Sequence, residues 1–185
     1  MKNPKLAFRY AQALYDLSVE MSNTEDICND IKNIQEVVCK NKELKKILES
    51  SIISSDKKQN ILQAIFQKNI CETTYRFFSL LVKKRRETQL LLICSQFIKI
   101  YLKNHNIKEA FITTAQPLSD EMVAYIKSYL ETDSPFQYLL HLSVEPKIIG
   151  GLVIHIDDFY YDASILAKIN KLKAEFSKNI YAAGF

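Results

Sequence analysis

Apolar residues recur every three or four positions through residues 4–103, the spacing of one face of an α-helix. They predict a first helix over residues 4–21. Five more helices are predicted to begin at Asn23 or Thr24, near residue 43, at Ser54 or Ser55, near residue 73 and near residue 87. None of the six contains an internal proline or glycine. This region is therefore predicted to be a helical bundle.

The pattern changes after Lys108. Ala110–Ala115 is rich in β-branched and aromatic residues and is followed by Pro117, which predicts a strand. A helix is predicted from Ser119 to about Glu131, since the acids that follow Ser119 favour a helix N-terminus. The remaining predicted elements are strands over 138–145, 152–157 and 159–161, and a last helix that is capped by Asp162 or Ser164 and carries Ile165, Ile169, Leu172, Phe176 and Ile180 on one face.

The predicted fold class is mainly α: an N-terminal six-helix bundle, residues 1–105, followed by a small α+β C-terminal domain, residues 106–185. Charge supports the division. Residues 1–104 hold 18 Lys and Arg against 11 Asp and Glu, a net charge of +7, whereas residues 105–185 hold 7 against 10, a net charge of −3. Such an asymmetry indicates two modules.

Composition argues against several classes of protein. The chain has three glycines, so a glycine-rich phosphate loop is absent, and its four cysteines form no C-x-x-C pair. The longest uncharged stretches, such as 88–98, are far shorter than the ~18 residues of a membrane span. The N-terminus lacks the apolar core of a secretory signal. We expect no cofactor, no metal ion and no catalytic centre.

The first predicted helix is apolar on two flanks, which is more than a bundle helix needs. Its polar residues, Arg9, Gln12, Asp16 and Glu20, fall in one narrow sector. Two interpretations are open. Either the helix is central in its own bundle, or it packs inward with one flank and offers the other to a partner helix. The fifth helix has a similar apolar excess and could form the second wall of a groove.

Two clusters of polar residues suggest other chemistry. Lys83–Arg86 could bind phosphates, which would make the chain a basic nucleic-acid-binding adapter, or the four cations could simply stay solvated at a helix C-terminus. His155, Asp157 and Asp158 could hold a metal ion and serve a small hydrolase. Strand alternation weakens that reading, because Asp158 belongs to the predicted turn.

Four segments, in the same order, resemble the delta subunit of F-type ATP synthases, the family of the oligomycin-sensitivity-conferring protein. They are Leu6–Leu17, which resembles its R-Y-A-x-A-L opening; Phe77–Leu91, with Arg86 at the usual arginine; Ala110–Leu118, which resembles A-x-V-T-[ST]-A-x-P-L; and Val144–Ser164, which resembles V-D-P-x-L-I-G-G-x-x-I...D-x-S. The last segment is the most specific. The departures are Glu145 for the usual Asp, Asp157 or Asp158 for a usual Gly, and Lys84-Arg85 for Asn-Gly.

The resemblance implies a non-catalytic stator component that links the catalytic head to the peripheral stalk during proton-driven ATP synthesis. It implies a peripheral position at the cytoplasmic face of the cell membrane, reached through the complex. The N-terminal domain would bind the N-terminal helices of the alpha subunits, and the C-terminal domain the b subunits. The partner-binding residues it implies are Leu6, Tyr10, Ala13, Leu14, Phe77, Leu80 and Lys84, with Tyr10 as the anchor.

Overall fold

A computed structural model describes residues 3–50, 52–66, 70–132 and 134–179, with side chains described as far as residue 177. The chain divides into two compact units, Met1–Asn104 and His105–Phe185. We call them the helical unit and the C-terminal unit. The first is a bundle of helices and the second combines helices with a sheet, so the predicted fold class is confirmed. Among the described residues, none of the helices combines the length and the hydropathy that a membrane span requires.

Over its described residues, the helical unit consists of six α-helices and a short 3₁₀ turn, Glu87–Gln89. The helices are α1 (Pro4–Glu20), α2 (Thr24–Lys40), α3 (Lys42–Glu49), α4 (Ser55–Phe66), α5 (Glu72–Lys83) and α6 (Leu90–Asn104). Residues of every helix meet in one apolar core, among them Ala7, Ile31, Leu48, Leu62, Leu81 and Phe97. Because the buried positions recur at helical spacing along each helix, the sequence periodicity matches the packing.

Helix ends follow local chemistry in most places. The Asn3 side chain caps α1 by accepting a hydrogen bond from the Leu6 N–H at 3.2 Å, and Pro4 fits the first turn because it has no N–H to leave unpaired. Asn23 is a partial correction to the prediction. It stands at the N-cap of α2, but its side chain makes no capping bond, and its Oδ1 is buried without a partner.

The C-terminal unit is built on a four-stranded mixed sheet with strand order β2-β1-β3-β4. The strands are β1 (Ile107–Thr114), β2 (Gln137–Val144), β3 (Leu152–Ile156) and β4 (Phe159–Asp162), and the helices are α7 (Asp120–Thr132) and α8 (Ile165–Asn179). β1 is parallel to β2 and antiparallel to β3, which is antiparallel to β4. β1 begins three residues before the predicted strand, because Ile107 already pairs with Gln137. Ile180, predicted on the last helix, lies outside the described residues.

The segment with the most specific family resemblance forms the junction between β3, β4 and α8. Gly151 has φ +78, and a Cβ there would stand 2.4 Å from the Ala163 carbonyl oxygen. The Ser164 hydroxyl caps α8 by accepting from the Ala167 N–H at 3.1 Å, and Asp162 accepts from the Ser164 N–H at 2.9 Å. A glycine, an acid and a serine at these positions therefore serve local backbone geometry.

All four cysteines belong to the helical unit. Cys28 and Cys94 are buried in the core, Cys71 is half-buried and Cys39 is exposed. Burial raises the pKa of the Cys94 thiol to about 12. Such a thiol stays protonated and unreactive while the bundle is closed.

Candidate partner-binding surface

The candidate site is the surface where α1 and α5 lie side by side in opposite directions. The C-terminal end of α1 meets the N-terminal end of α5, where the Thr73 hydroxyl donates to the Met21 sulfur at 3.4 Å. At the other end, the Asn3 N–H donates to the Gln89 side-chain oxygen at 3.0 Å, just after α5 has ended. These two contacts, one at each end, show that α1 and α5 are antiparallel.

Small residues let α1 pack closely into the bundle. Ala7, Ala11, Leu14 and Ser18 are 0 to 1% exposed and form its inward line. One apolar flank of α1 then faces α5 and the other faces α6, against which Tyr15 packs through Phe97. α1 therefore matches neither interpretation in full. It is not enclosed in the bundle, and it does not bury one flank while leaving the other free. Both flanks of α1 are partly exposed.

The flank toward α5 forms what we call the α1–α5 surface. Its members are Leu6, Tyr10, Ala13 and Leu17 of α1, with Thr73, Phe77, Leu80 and Lys84 of α5 and its C-cap. The Tyr10 and Phe77 rings meet edge to face, with centroids 6.4 Å apart. Tyr10 and Phe77 are half-buried, Ala13 is exposed, and Leu80 is 45% exposed. The surface is thus apolar, shaped by packed aromatic rings, and open to solvent.

The structure brings six of the seven predicted residues to this surface. Leu14 is the exception. It is 1% exposed and lies in the core beneath the surface, so in this conformation it can support a partner only through its neighbours. Leu17 and Thr73 were not among the predicted residues. Thr73 stands four positions before Phe77 and seven before Leu80, so helical spacing could have placed it on the same face.

The other flank of α1, which faces α6, offers exposed positions for control substitutions. Phe8 and Val19 are 50% and 51% exposed there. A depression of about 740 Å³ runs along the polar sector of α1, between the two flanks, and is also lined by Phe8 and Ala13 of those flanks and by Gln96 of α6. Its side chains include Arg9, Gln12 and Asp16, and Gln12 donates a hydrogen bond to Asp16 at 2.8 Å. The hydrogen-bonding groups of the polar sector are thus partly paired within α1 itself.

A buried ion pair fixes the segment that precedes α6. Lys58 is 2% exposed, and its ammonium donates to Glu87 Oε1 at 2.6 Å and to the carbonyls of Leu48 and Ser50 at 3.1 and 2.6 Å. Glu87 Oε2 has no partner. The contact ties α4 to the end of α3 and to the turn that follows the basic residues 83–86. Sequence periodicity missed it, since a lysine at a helical position is expected to be solvated.

Two of the residues considered for a metal site, His155 and Asp157, have other partners. Asp157 pairs with Lys108 at 3.0 Å and has φ +48, as its predicted turn requires. The His155 ring lies beside Phe111 and Tyr160, each with a centroid distance of 6.3 Å. Within the described ranges, no group of three or more His, Cys, Asp or Glu side chains could hold a metal ion.

The C-terminal unit has a large exposed apolar surface of its own. On one sheet face, Phe111 stacks on His141 with centroids 4.8 Å apart, and Glu109 lies 3.1 Å from that histidine. On α8, Ile165, Leu172 and Phe176 are all exposed. Exposed apolar side chains that gather into a patch mark sites of association.

Comparison with known proteins shows the same relationship along nearly the whole chain. A family model described as "ATP synthase delta (OSCP) subunit" matches residues 6–176. The ATP synthase subunit delta of Cytophaga hutchinsonii is 33% identical over 180 residues, covering 97% of this chain and 98% of that protein. The subunit delta of Prochlorococcus marinus strain MIT 9301 is 33% identical over 170 residues, covering 91% and 94%.

A solved structure agrees at the level of the fold. A chain in the cryo-EM structure of the Toxoplasma gondii mitochondrial ATP synthase hexamer superposes with a TM-score of 0.69 at 18% identity, covering 93% of this chain and 97% of that chain. With the family match and the bacterial relatives, the conclusion is direct: the chain belongs to the ATP synthase delta (OSCP) subunit family.

Proposed function

We propose that the chain is a non-catalytic connector in the stator of an F-type ATP synthase. Its helical unit holds N-terminal helices of the alpha subunits, and its C-terminal unit holds the b subunits of the peripheral stalk. Family membership supports a peripheral-stalk role in ATP synthase. Association with the membrane is peripheral and passes through the complex, at the cytoplasmic face. No cofactor or metal ion takes part.

The open α1–α5 surface is the observation that carries the alpha-subunit half of the proposal. A helix with an apolar stripe can lie between α1 and α5 and cover Leu80 and Ala13 without disturbing the core. Tyr10 anchors it, because a rigid aromatic side chain already packed on Phe77 loses little conformational freedom on binding. Burial of apolar area, at ~25 cal/mol per Å², supplies attachment without any chemical step.

The exposed apolar side chains of the C-terminal unit support the b-subunit half. Those of α8 follow helical spacing, with Leu172 and Phe176 four positions apart. An amphipathic stalk helix packing along that row would bury both. The connector must hold both partners at once, because torque reaches the catalytic head only if the head cannot turn with the rotor.

Tyr10→Asp tests the alpha-subunit half. Placing a carboxylate in the apolar contact should weaken binding of a peptide from the alpha N-terminus roughly 30-fold or more, the loss typical of a central aromatic residue. Isothermal titration of the full chain measures the affinity, and circular dichroism checks the fold. Val19→Asp is the matched control, since Val19 is exposed on the opposite flank of the same helix. Equal affinities of Tyr10→Asp and the unchanged chain would contradict the proposal.

Leu172→Asp combined with Phe176→Asp tests the b-subunit half. Both side chains are exposed, so the fold should tolerate the change. In a co-purification from cells that express the whole synthase, the variant should retain the alpha subunits and lose the b subunits. Retention of both partners would contradict the assignment of this surface. The nucleic-acid adapter considered from Lys83–Arg86 receives no support from the family match.

A further inference from the structure

Charge along the α1–α5 surface is separated end to end. Because the two helices are antiparallel, the N-terminal half of α1 and the C-terminal end of α5 lie together. The side chains at this basic end are Lys5, Arg9, Lys83, Lys84, Arg85 and Arg86. The side chains at the opposite, acidic end are Asp16, Glu20 and Glu72, of which Glu72 is paired with Arg76 within α5. On a helical projection, Arg9 and Glu20 both border the flank that carries Tyr10 and Ala13.

The fold itself makes little use of the basic end. Among described residues, the ion pairs involve Lys40, Lys58, Arg76, Lys108 and His141 on the cationic side, and none of the six cations at the basic end. All six are exposed. Cations near the end of α5 favour its dipole, but the four consecutive ones, Lys83–Arg86, also repel one another. Carboxylates brought by a partner would relieve that repulsion.

We propose that this separation of charge sets the direction in which a partner helix lies on the α1–α5 surface. The occupant is an amphipathic helix whose apolar stripe covers Tyr10 and Leu80, with carboxylates at the end over Lys84–Arg86 and cations at the end over Asp16 and Glu20. The inference rests on the proposed function of the same surface and adds the charge pattern of the partner. Complementary charges at the rim select orientation and speed association, while the apolar contact supplies most of the affinity.

Repulsion between like charges disfavours the reverse orientation of the partner helix. A helix docked the other way would bring its cations against six cations and its carboxylates against Asp16 and Glu20. Exposed pairs contribute little one at a time, but several acting together should separate the two orientations by about tenfold or more. The preference should fall as salt is added, because these charges are exposed and screened.

The decisive experiment maps the orientation of a bound peptide. The probe is a synthetic amphipathic helix with glutamates in its first two turns and lysines in its last two, carrying a photoreactive group at the acidic end. It is irradiated with the full chain, and the cross-linked residues are identified by mass spectrometry. Cross-links within 5–9 and 83–86 are expected. Cross-links within 16–20 and 72–76, or equal cross-linking at both ends, would overturn the inference while leaving the proposed function intact.

Absence of peptide binding would overturn the proposed function and this inference with it, so the two failures are distinguishable. Lys83→Glu combined with Lys84→Glu should weaken binding about tenfold and make the cross-links spread to both ends. Lys32→Glu combined with Lys99→Glu makes the same charge change at exposed sites on α2 and α6, and it should leave the affinity unchanged. A tenfold loss in this control pair would mean that net charge alone governs binding.

Arg85→Gly separates binding from stability. Arg85 has φ +54, directly after the C-cap of α5, and closes the turn through its N–H to the Val82 carbonyl at 2.9 Å. Glycine is the residue best suited to that conformation, so the substitution should raise the midpoint of thermal unfolding. It also removes one cation, so peptide affinity should fall about threefold. An affinity that is unchanged or higher in this stabilised variant would count against a role for the basic end.

Discussion

The two units differ in how they use apolar residues. In the part of the chain that the structure describes, the helical unit gathers twenty buried apolar residues into one core, whereas the C-terminal unit buries Ala110, Ile112, Ile126, Ile148 and Ile156. Exposure runs the other way. Among described residues, fourteen large apolar side chains are exposed in the C-terminal unit against seven in the helical unit. The helical unit is thus stabilised by its own core, while the C-terminal unit has apolar surface left over for association.

Phe97→Ala should produce the largest effect. Phe97 is fully buried in α6 and packs against Tyr15, so its truncation should lower the free energy of unfolding by about 4 kcal/mol. Phe176→Ala, at a side chain that is 69% exposed on α8, should change it by less than ~0.5 kcal/mol. Urea titration followed by circular dichroism compares the two. Similar losses would erase the distinction between the units.

Lys58→Met should have the next largest effect on the free energy of unfolding. It leaves the buried Glu87 carboxyl without its partner, and it frees the carbonyls of Leu48 and Ser50, which should cost about 3 kcal/mol. Lys58→Met combined with Glu87→Met replaces the pair with apolar side chains and should recover most of the loss. Hydrogen exchange should localise the effect to the helical unit. No recovery in the double variant would show that the ion pair itself is needed.

Gly151→Ala probes the C-terminal unit in the same way and should cost at least ~1 kcal/mol. The new Cβ would meet the Ala163 carbonyl, and alanine strongly disfavours φ +78. Gly150→Ala is the milder neighbour, because its Cβ meets only the flexible end of the Ile165 side chain. Hydrogen exchange should show faster opening of β3 and the start of α8 in the first variant alone. Equal effects at the two glycines would refute this reading of the junction.

The smallest effect concerns pH and the same junction. Hydrogen bonds from the side chain and the N–H of Ser164 lower the pKa of Asp162. The folded state therefore prefers the carboxylate, and its contribution is present above the usual aspartate pKa and is lost as pH falls through the lowered value. Asp162→Asn should remove this part of the acid sensitivity. An unaltered acid unfolding curve for the variant would contradict it.

Periodicity predicted the six helices of the bundle well, because each buries one face at regular spacing. It could not place Leu14, which lies between two apolar flanks and whose burial depends on which neighbour each flank meets. It also could not foresee Lys58, since burial of a lysine depends on carbonyls and a carboxylate that come from two other segments. The start of β1 at Ile107 depends on pairing with β2, and strand pairing across the chain leaves no local signal.

The residues of the α1–α5 surface came from the family resemblance more than from spacing. Spacing showed that α1 has two apolar flanks, but only the fold shows that Tyr10 meets Phe77 and that Leu80 remains exposed. The end-to-end separation of charge was invisible in the sequence for the same reason. Residues 5–9 and 83–86 are distant in the chain, and it is the antiparallel packing that brings them together.

The confinement of every cysteine to the helical unit has a practical consequence. A disulfide-exchange reagent should modify Cys39 at once but reach Cys94 only when the bundle opens. The lag between the two reactions therefore measures opening of the helical unit. The C-terminal unit has no cysteine and does not contribute to it. Run inside an assembled synthase, this measurement would report whether the helical unit opens during turnover, with no engineered label.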